Sequence, residues 1–129
     1  MEKQQKYTIG IDLGGTNTVF GIVDAQGTIV AQDSMKTQAY ETAEAFVEAG
    51  VARLVPLISK VGGLDAIAGM GIGAPNANFY TGAIETAPNI TWAHERTVPL
   101  AKMFSEQLSS LDSRQKEPFP VRITNDANA

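Results

Sequence analysis

The sequence contains no cysteine, which excludes a disulfide framework and removes thiolate from any metal site these residues could build. That absence fits a reducing, cytoplasmic setting. Histidine is nearly as scarce. His94 is the single histidine in 129 residues, and with no second ligand beside it in the sequence it reads as a solvated loop residue. No apolar run approaches the roughly 18 residues of a membrane span, and the polar stretch from Met1 to Lys6 has no signal core. No membrane partner is expected. Clustered positive charge is missing too. Ten Lys and Arg stand against 14 Asp and Glu, for a formal net charge of −4, and the cations are scattered from Lys3 to Arg122. A nucleic-acid surface needs a basic stripe, so nucleic acid is not expected as a partner.

What is present is the composition of an ordinary globular domain, 43% hydrophobic and 19% charged, long enough to bury one core. Tyr7 to Leu13 alternates apolar with small or polar residues, the pattern of a strand. A turn follows at Gly14, Gly15, Thr16 and Asn17, then a second strand from Thr18 to Val23. A further turn from Asp24 to Gly27 leads into a third strand over Thr28 to Met35. Connections this short leave no room for a crossover helix, so the three strands form an antiparallel meander. Thr42 to Lys60 is helical, with Val47, Val51, Leu54, Ile58 and Val61 on one face. Pro56 predicts a kink there or two abutting segments, and Gly62 with Gly63 a stop. Ala66 to Gly73 reads as a buried strand, Ala74 to Thr97 as a loop, and Pro99 to Leu111 as a helix with Pro99 in its first turn. A short strand from Val121 to Thr124 and a helix starting at Asp126 complete an α/β domain with a mixed sheet.

Three segments carry candidate chemistry. Two adjacent glycines in the turn after the first strand let backbone N–H groups approach a phosphate closely. Thr16 and Asn17 add polar side chains, and Asp12 stands at the strand end, where a carboxylate can hold the water shell of Mg²⁺. The turn lacks the lysine and the following helix of a Walker loop, and a strand after the glycines also excludes a dinucleotide fingerprint. A plain hairpin turn explains the same residues equally well. The second segment, Gly71 to Pro75, ends a strand in small residues, which suits either close ligand approach or tight packing. The third, Thr124, Asn125 and Asp126, puts a carboxylate at a strand-to-helix junction. Such residues bind ligands at the carboxyl ends of open α/β sheets, but on pattern alone a helix cap is the stronger reading. Trp92, an isolated aromatic, is expected to anchor its loop against the core.

In this order the three segments resemble the ROK family of bacterial sugar kinases and sugar-responsive repressors, and within it the glucokinases. The resemblance runs from about Tyr7 to the end and includes Ala87 to Trp92 and Pro99–Leu100. The sequence departs from the family pattern at Asn76, where glycine is usual, and at Phe79 and Tyr80, near which an acidic residue is usual.

The resemblance implies a ribonuclease-H-like domain of the actin-like ATPase superfamily, with residues 1–129 as the N-terminal domain of a two-domain sugar kinase. It implies ATP and Mg²⁺ as cofactors and phosphorylation of a hexose, with glucose converted to glucose 6-phosphate. Asp126 would be the catalytic base, and Asn125, Gly73, Ala74 and Asn89 would line the sugar pocket. Gly14, Gly15, Thr16 and Asn17 would hold the phosphates, with Asp12 on Mg²⁺ through water. The second phosphate loop, the adenosine pocket, a structural zinc cluster and further sugar ligands would lie beyond Ala129, so these residues alone are expected to fold without transferring phosphate. The full-length protein is expected to be a cytoplasmic homo-oligomer. The alternative is a sugar-sensing repressor of the same family, which would carry a DNA-reading module ahead of the polar residues that precede the first strand.

Overall fold

The computed structural model describes residues 6–88, 90–94, 96–111 and 118–125. The meander forms as its short connections dictate. Strands β1 (Tyr7–Leu13), β2 (Asn17–Val23) and β3 (Ile29–Lys36) pair antiparallel in sequence order. On the other side of β1 the direction changes. Strand β4 (Ile67–Ala74) pairs parallel to it, and β8 (Val121–Asn125) parallel to β4, giving a five-stranded sheet of order β3-β2-β1-β4-β8.

Helix α1 (Ala43–Lys60) supplies the crossover from β3 to β4. Thr42 caps it by accepting a hydrogen bond from the Ala45 N–H at 3.1 Å, satisfying one of the donors a helix start leaves open. Its apolar stripe, with Phe46, Val47, Val51, Leu54 and Ile58, is buried. That stripe packs on the sheet face made by Ile9, Ile11, Leu13, Phe20, Ile22, Ile72 and Ile123. Pro56 does not divide the helix, which runs unbroken through it for 18 residues. The hydrogen bond that proline removes would have ended on the Ala52 carbonyl, and both residues lie on the exposed side, where water can take the vacant acceptor.

Helix α2 (Leu100–Ser109) lies beside α1 on the same face. Pro99 is its N-cap and not a first-turn residue, one position outside the expected start. Gly50 lets the helices approach closely. A Cβ there would stand 3.2 Å from the Phe104 ring and 3.4 Å from that of Phe20.

The segment from Ala74 to Thr97, expected to be a loop, contains a second sheet. Strands β5 (Ala77–Asn78), β6 (Ala83–Glu85) and β7 (Thr97–Val98) pair antiparallel in that order. Strands of two or three residues are too short to show an alternating pattern, and their pairing is set by the turns between them. Asn76, standing where the family pattern has glycine, takes a left-handed backbone at φ 55°. Asparagine tolerates that region better than most residues, and here its side chain also donates to the Thr86 carbonyl at 3.0 Å.

Gly50→Leu tests the helix contact. Helix propensity alone favours leucine by somewhat under about 1 kcal/mol, whereas overpacking a tight contact costs about 1–3 kcal/mol. A lower denaturation midpoint is expected, and an unchanged or higher one would mean that the two rings have room.

Candidate active site

The registers of the central strands bring the three chemistry-bearing segments to one end of the sheet. Asp12 of β1 lies opposite Gly73 of β4, Gly73 opposite Thr124 of β8, and Ala74 opposite Asn125. These are the carboxyl ends of three mutually parallel strands, the end at which open α/β sheets present ligand sites. Strand alternation decides which way Asp12 faces. Ile11 and Leu13 are buried under the helices, so Asp12 projects from the opposite face and is exposed. There it borders a groove of about 260 Å³ whose floor is Gly10, Gly21 and Gly71. No hydrogen bond or ion pair holds the Asp12 carboxylate among the described residues.

Beyond Asp12 the chain reverses in a tight turn closed by the Gly14 N–H donating to the Asn17 carbonyl at 3.0 Å. Its glycines have different reasons to be there. A Cβ on Gly14 would stand 3.0 Å from the Asn17 carbonyl oxygen, so the turn itself excludes a side chain at that position. A Cβ on Gly15 would meet nothing within 4 Å. The contacts around a Cβ therefore do not demand glycine at 15.

The carbonyls of Gly14, Gly15 and Thr16 are tied inward by the one-turn 3-10 segment Thr37–Ala39 after β3. Thr37 Oγ1 donates to the Gly14 carbonyl at 2.7 Å, Gln38 Nε2 to that of Gly15 at 2.6 Å, and the Thr37 N–H to that of Thr16 at 2.9 Å. Thr37 Oγ1 also lies 2.8 Å from Thr18 Oγ1. The single Thr37 hydroxyl proton goes to Gly14, so Thr18 is the donor in that pair. With its acceptors occupied, the turn keeps its donors outward. Among the described residues the N–H groups of Gly15 and Thr16 donate no hydrogen bond, and Gly15, Thr16 and Asn17 are exposed. Successive outward amides make an anion-binding concavity.

The same 3-10 segment holds the loop between β6 and β7. Trp92 is buried, stacked on Phe46 with centroids 4.4 Å apart, and its Nε1–H donates to the Thr37 carbonyl at 3.0 Å. It anchors the loop as its isolation in sequence suggested. Gln38 Oε1 accepts from both the N–H (2.7 Å) and the hydroxyl (2.6 Å) of Thr91. His94 is exposed, with Nδ1 3.1 Å from the Thr91 carbonyl.

Of the residues singled out from sequence, Asp12, Gly14, Gly15, Thr16, Asn17, Gly73 and Ala74 come to this end of the sheet, and the backbone of Asn125 closes β8 beside them. Asn89 and Asp126 lie outside the described residues. Thr37, Gln38 and Thr91 were not anticipated. The first two had one available signal: an antiparallel meander must bring the end of β3 beside the start of β2, where Lys36 pairs with Asn17.

A meander, a crossover helix and parallel strands in the order β3-β2-β1-β4-β8 define the ribonuclease-H-like domain of the actin-like ATPase fold. The chain belongs to the ROK family, whose model matches residues 8–129. It is 35% identical over 123 residues to a glucokinase of Streptomyces coelicolor, covering 95% of this chain and 33% of that one. A ROK family glucokinase of Streptomyces griseus, solved with glucose and AMPPNP, superposes with a TM-score of 0.71 at 32% identity, over 95% of this chain and 34% of that one. A ROK family transcriptional regulator, a homologue of the E. coli MLC protein, shares the fold at a TM-score of 0.69 and 13% identity, over 93% of this chain and 28% of that one. The chain thus spans about a third of the length of the curated relatives it matches.

Thr37→Val is expected to destabilise the domain by about 1–3 kcal/mol, because it strands the Gly14 carbonyl and the buried Thr18 hydroxyl together. Adding Thr18→Val should cost less than the sum of the single changes, since the partners share one network. Additive losses in urea denaturation would mean that the hydroxyls act independently.

Proposed function

We propose that the full-length protein is an ATP-dependent hexose kinase, with glucose as the acceptor converted to glucose 6-phosphate. The observation that carries this reading is the turn after β1. Its carbonyls are tied inward, its Gly15 and Thr16 amides are undonated, and Gly15 is bare for no reason internal to the fold. Those are the properties of a surface against which a phosphate can lie. The identity to two Streptomyces glucokinases supports the choice of sugar.

In this mechanism Gly14 to Asn17 cradle the phosphates of ATP, with the Gly15 and Thr16 amides and the Asn17 side chain facing the oxygens. Gly73 and Ala74, with Asn89 and Asn125, line the sugar side. The Asp126 carboxylate takes the proton of the primary hydroxyl as that oxygen bonds to the γ-phosphorus. The bond from phosphorus to the β,γ-bridging oxygen breaks, and ADP leaves. Catalysis of this kind is chiefly placement and charge stabilisation. Mg²⁺, when bound, neutralises charge on the β- and γ-phosphates. The exposed, unpaired Asp12 carboxylate suits its water shell. The structural zinc implied by the family finds no ligand set here, because the chain has no cysteine and one histidine. No step is assigned to it.

The rival reading, a sugar-responsive regulator, has the fold likeness to the MLC homologue in its favour. ADP release by the full-length protein with and without glucose separates the two. Sugar-dependent release supports the kinase, and sugar binding without turnover supports the regulator.

Two variants assign the roles. Asp126→Asn should lower kcat by at least about a hundredfold with sugar affinity little changed, because a general base acts mainly in the transition state. Near-normal turnover would return Asp126 to a helix cap. Gly15→Val places its Cβ where nothing lies within 4 Å and should leave stability near that of the parent while raising the KM for ATP several-fold. Unchanged nucleotide kinetics would remove the turn from the mechanism.

A further inference from the structure

We propose that Gln38 is a positioning residue that fixes the phosphate turn and the sugar-side loop in register with one another. The inference rests on the kinase reading above and assigns that site a residue outside its ligand-binding set.

Gln38 is exposed, and an exposed amide ordinarily finds its hydrogen bonds in water. Instead its two ends bind backbone groups of segments far apart in sequence. Nε2 donates to the Gly15 carbonyl, 23 positions away, and Oε1 accepts from Thr91, 53 positions away. The partners dictate the side chain. A carbonyl can only accept and an N–H can only donate, so the bridge needs a donor and an acceptor on one short planar group. Glutamine meets that requirement. Glutamate would set a carboxylate oxygen against the Gly15 carbonyl, and leucine would lose both arms.

The bridge also adds something that the buried contacts leave open. Trp92 ties the inner edge of the sugar-side loop to the Thr37 carbonyl, and Ala87, Ile90 and Ala93 bury the loop against the core. None of these contacts reaches the Gly15 carbonyl. Gln38 links that carbonyl to Thr91 on the solvent side and so fixes the loop's exposed edge against the turn. The turn keeps its own shape without Gln38, because Thr37 holds the Gly14 and Thr16 carbonyls independently. Loss of the bridge should therefore leave each ligand's binding largely intact and slacken the placement of donor against acceptor. Small misplacement of reacting groups is costly to rate.

The test uses the full-length protein and the variants Gln38→Leu, Thr91→Val and both together. Gln38→Leu should lower kcat by about tenfold or more, with the KM values for glucose and ATP each within about threefold of the parent. Its thermal midpoint should move little. Thr91→Val retains its N–H and should have a smaller effect, and the double variant should match Gln38→Leu, because both changes break one link. Turnover in Gln38→Leu within about twofold of the parent, or a kcat loss that is merely additive with Thr91→Val, overturns the proposal. Failure of the kinase reading appears separately, as a parent protein that releases no ADP with any hexose. Calorimetric titration with AMPPNP, with and without glucose, then decides the role of Gln38. A dependence of nucleotide affinity on glucose that is present in the parent and absent in Gln38→Leu sustains the link. The same dependence in both proteins, or none in the parent, overturns it.

Discussion

Thr37 has one hydroxyl proton, and where that proton goes determines the shape of the turn after β1. It is given to the Gly14 carbonyl while the same oxygen accepts from Thr18, so a buried side chain on β2, a turn carbonyl and the end of β3 are locked to a single atom. A tight turn between two strands has both carbonyls and amides to dispose of, and a plain hairpin leaves both to water. Here the acceptors are consumed from behind by Thr37 and Gln38, and the donors alone face solvent. That asymmetry would favour an anion over a cation without any positively charged side chain in the turn. Burial makes the arrangement durable. Thr37 and Thr18 are fully buried, where breaking such a bond leaves polar atoms with no water to replace it.

The sheet supplies the second constraint. β1 is antiparallel to β2 on one side and parallel to β4 on the other, so its carboxyl end meets both a tight turn and the carboxyl ends of β4 and β8. The turn provides outward amides and the parallel ends provide positions for groups entering loops. Had β4 run antiparallel to both its neighbours, Gly73 would stand at the opposite end of the sheet from Asp12 and Asn125. The α1 crossover makes the parallel pairing possible, and it carries Phe46, on which Trp92 stacks. One helix thus builds the core and seats the loop between β6 and β7.

Much of this was legible in the residues because the signals are local. Strand alternation from Tyr7 to Leu13, the glycine pair and the apolar stripe of α1 each state their conformation within a few positions. The long-range contacts were not legible. Gln38 has no motif around it, and its bonding to Thr91 depends on β7, a strand of two residues without a detectable period. Of the two outcomes Pro56 predicted, two abutting segments do not form. A strong local signal for interruption was overridden by a helix already fixed on both sides by buried residues, with the lost bond facing solvent. Asp126 was read from its motif alone and lies outside the described residues, so its role stands on the resemblance.

Fold likeness cannot by itself choose between a kinase and a regulator, since sequences only 13% identical reach a TM-score of 0.69 with this chain. The choice has to come from features the fold does not need. Gly14 is required by the turn and is uninformative on this point, because any protein with the same hairpin would keep it. Gly15 is different, since a Cβ there would meet nothing within 4 Å. The undonated amides of Gly15 and Thr16 are likewise no requirement of the fold. A protein that only senses sugar needs no anion-binding turn, so the exposed, undonated amides beside the ends of β4 and β8 favour the proposed phosphoryl transfer.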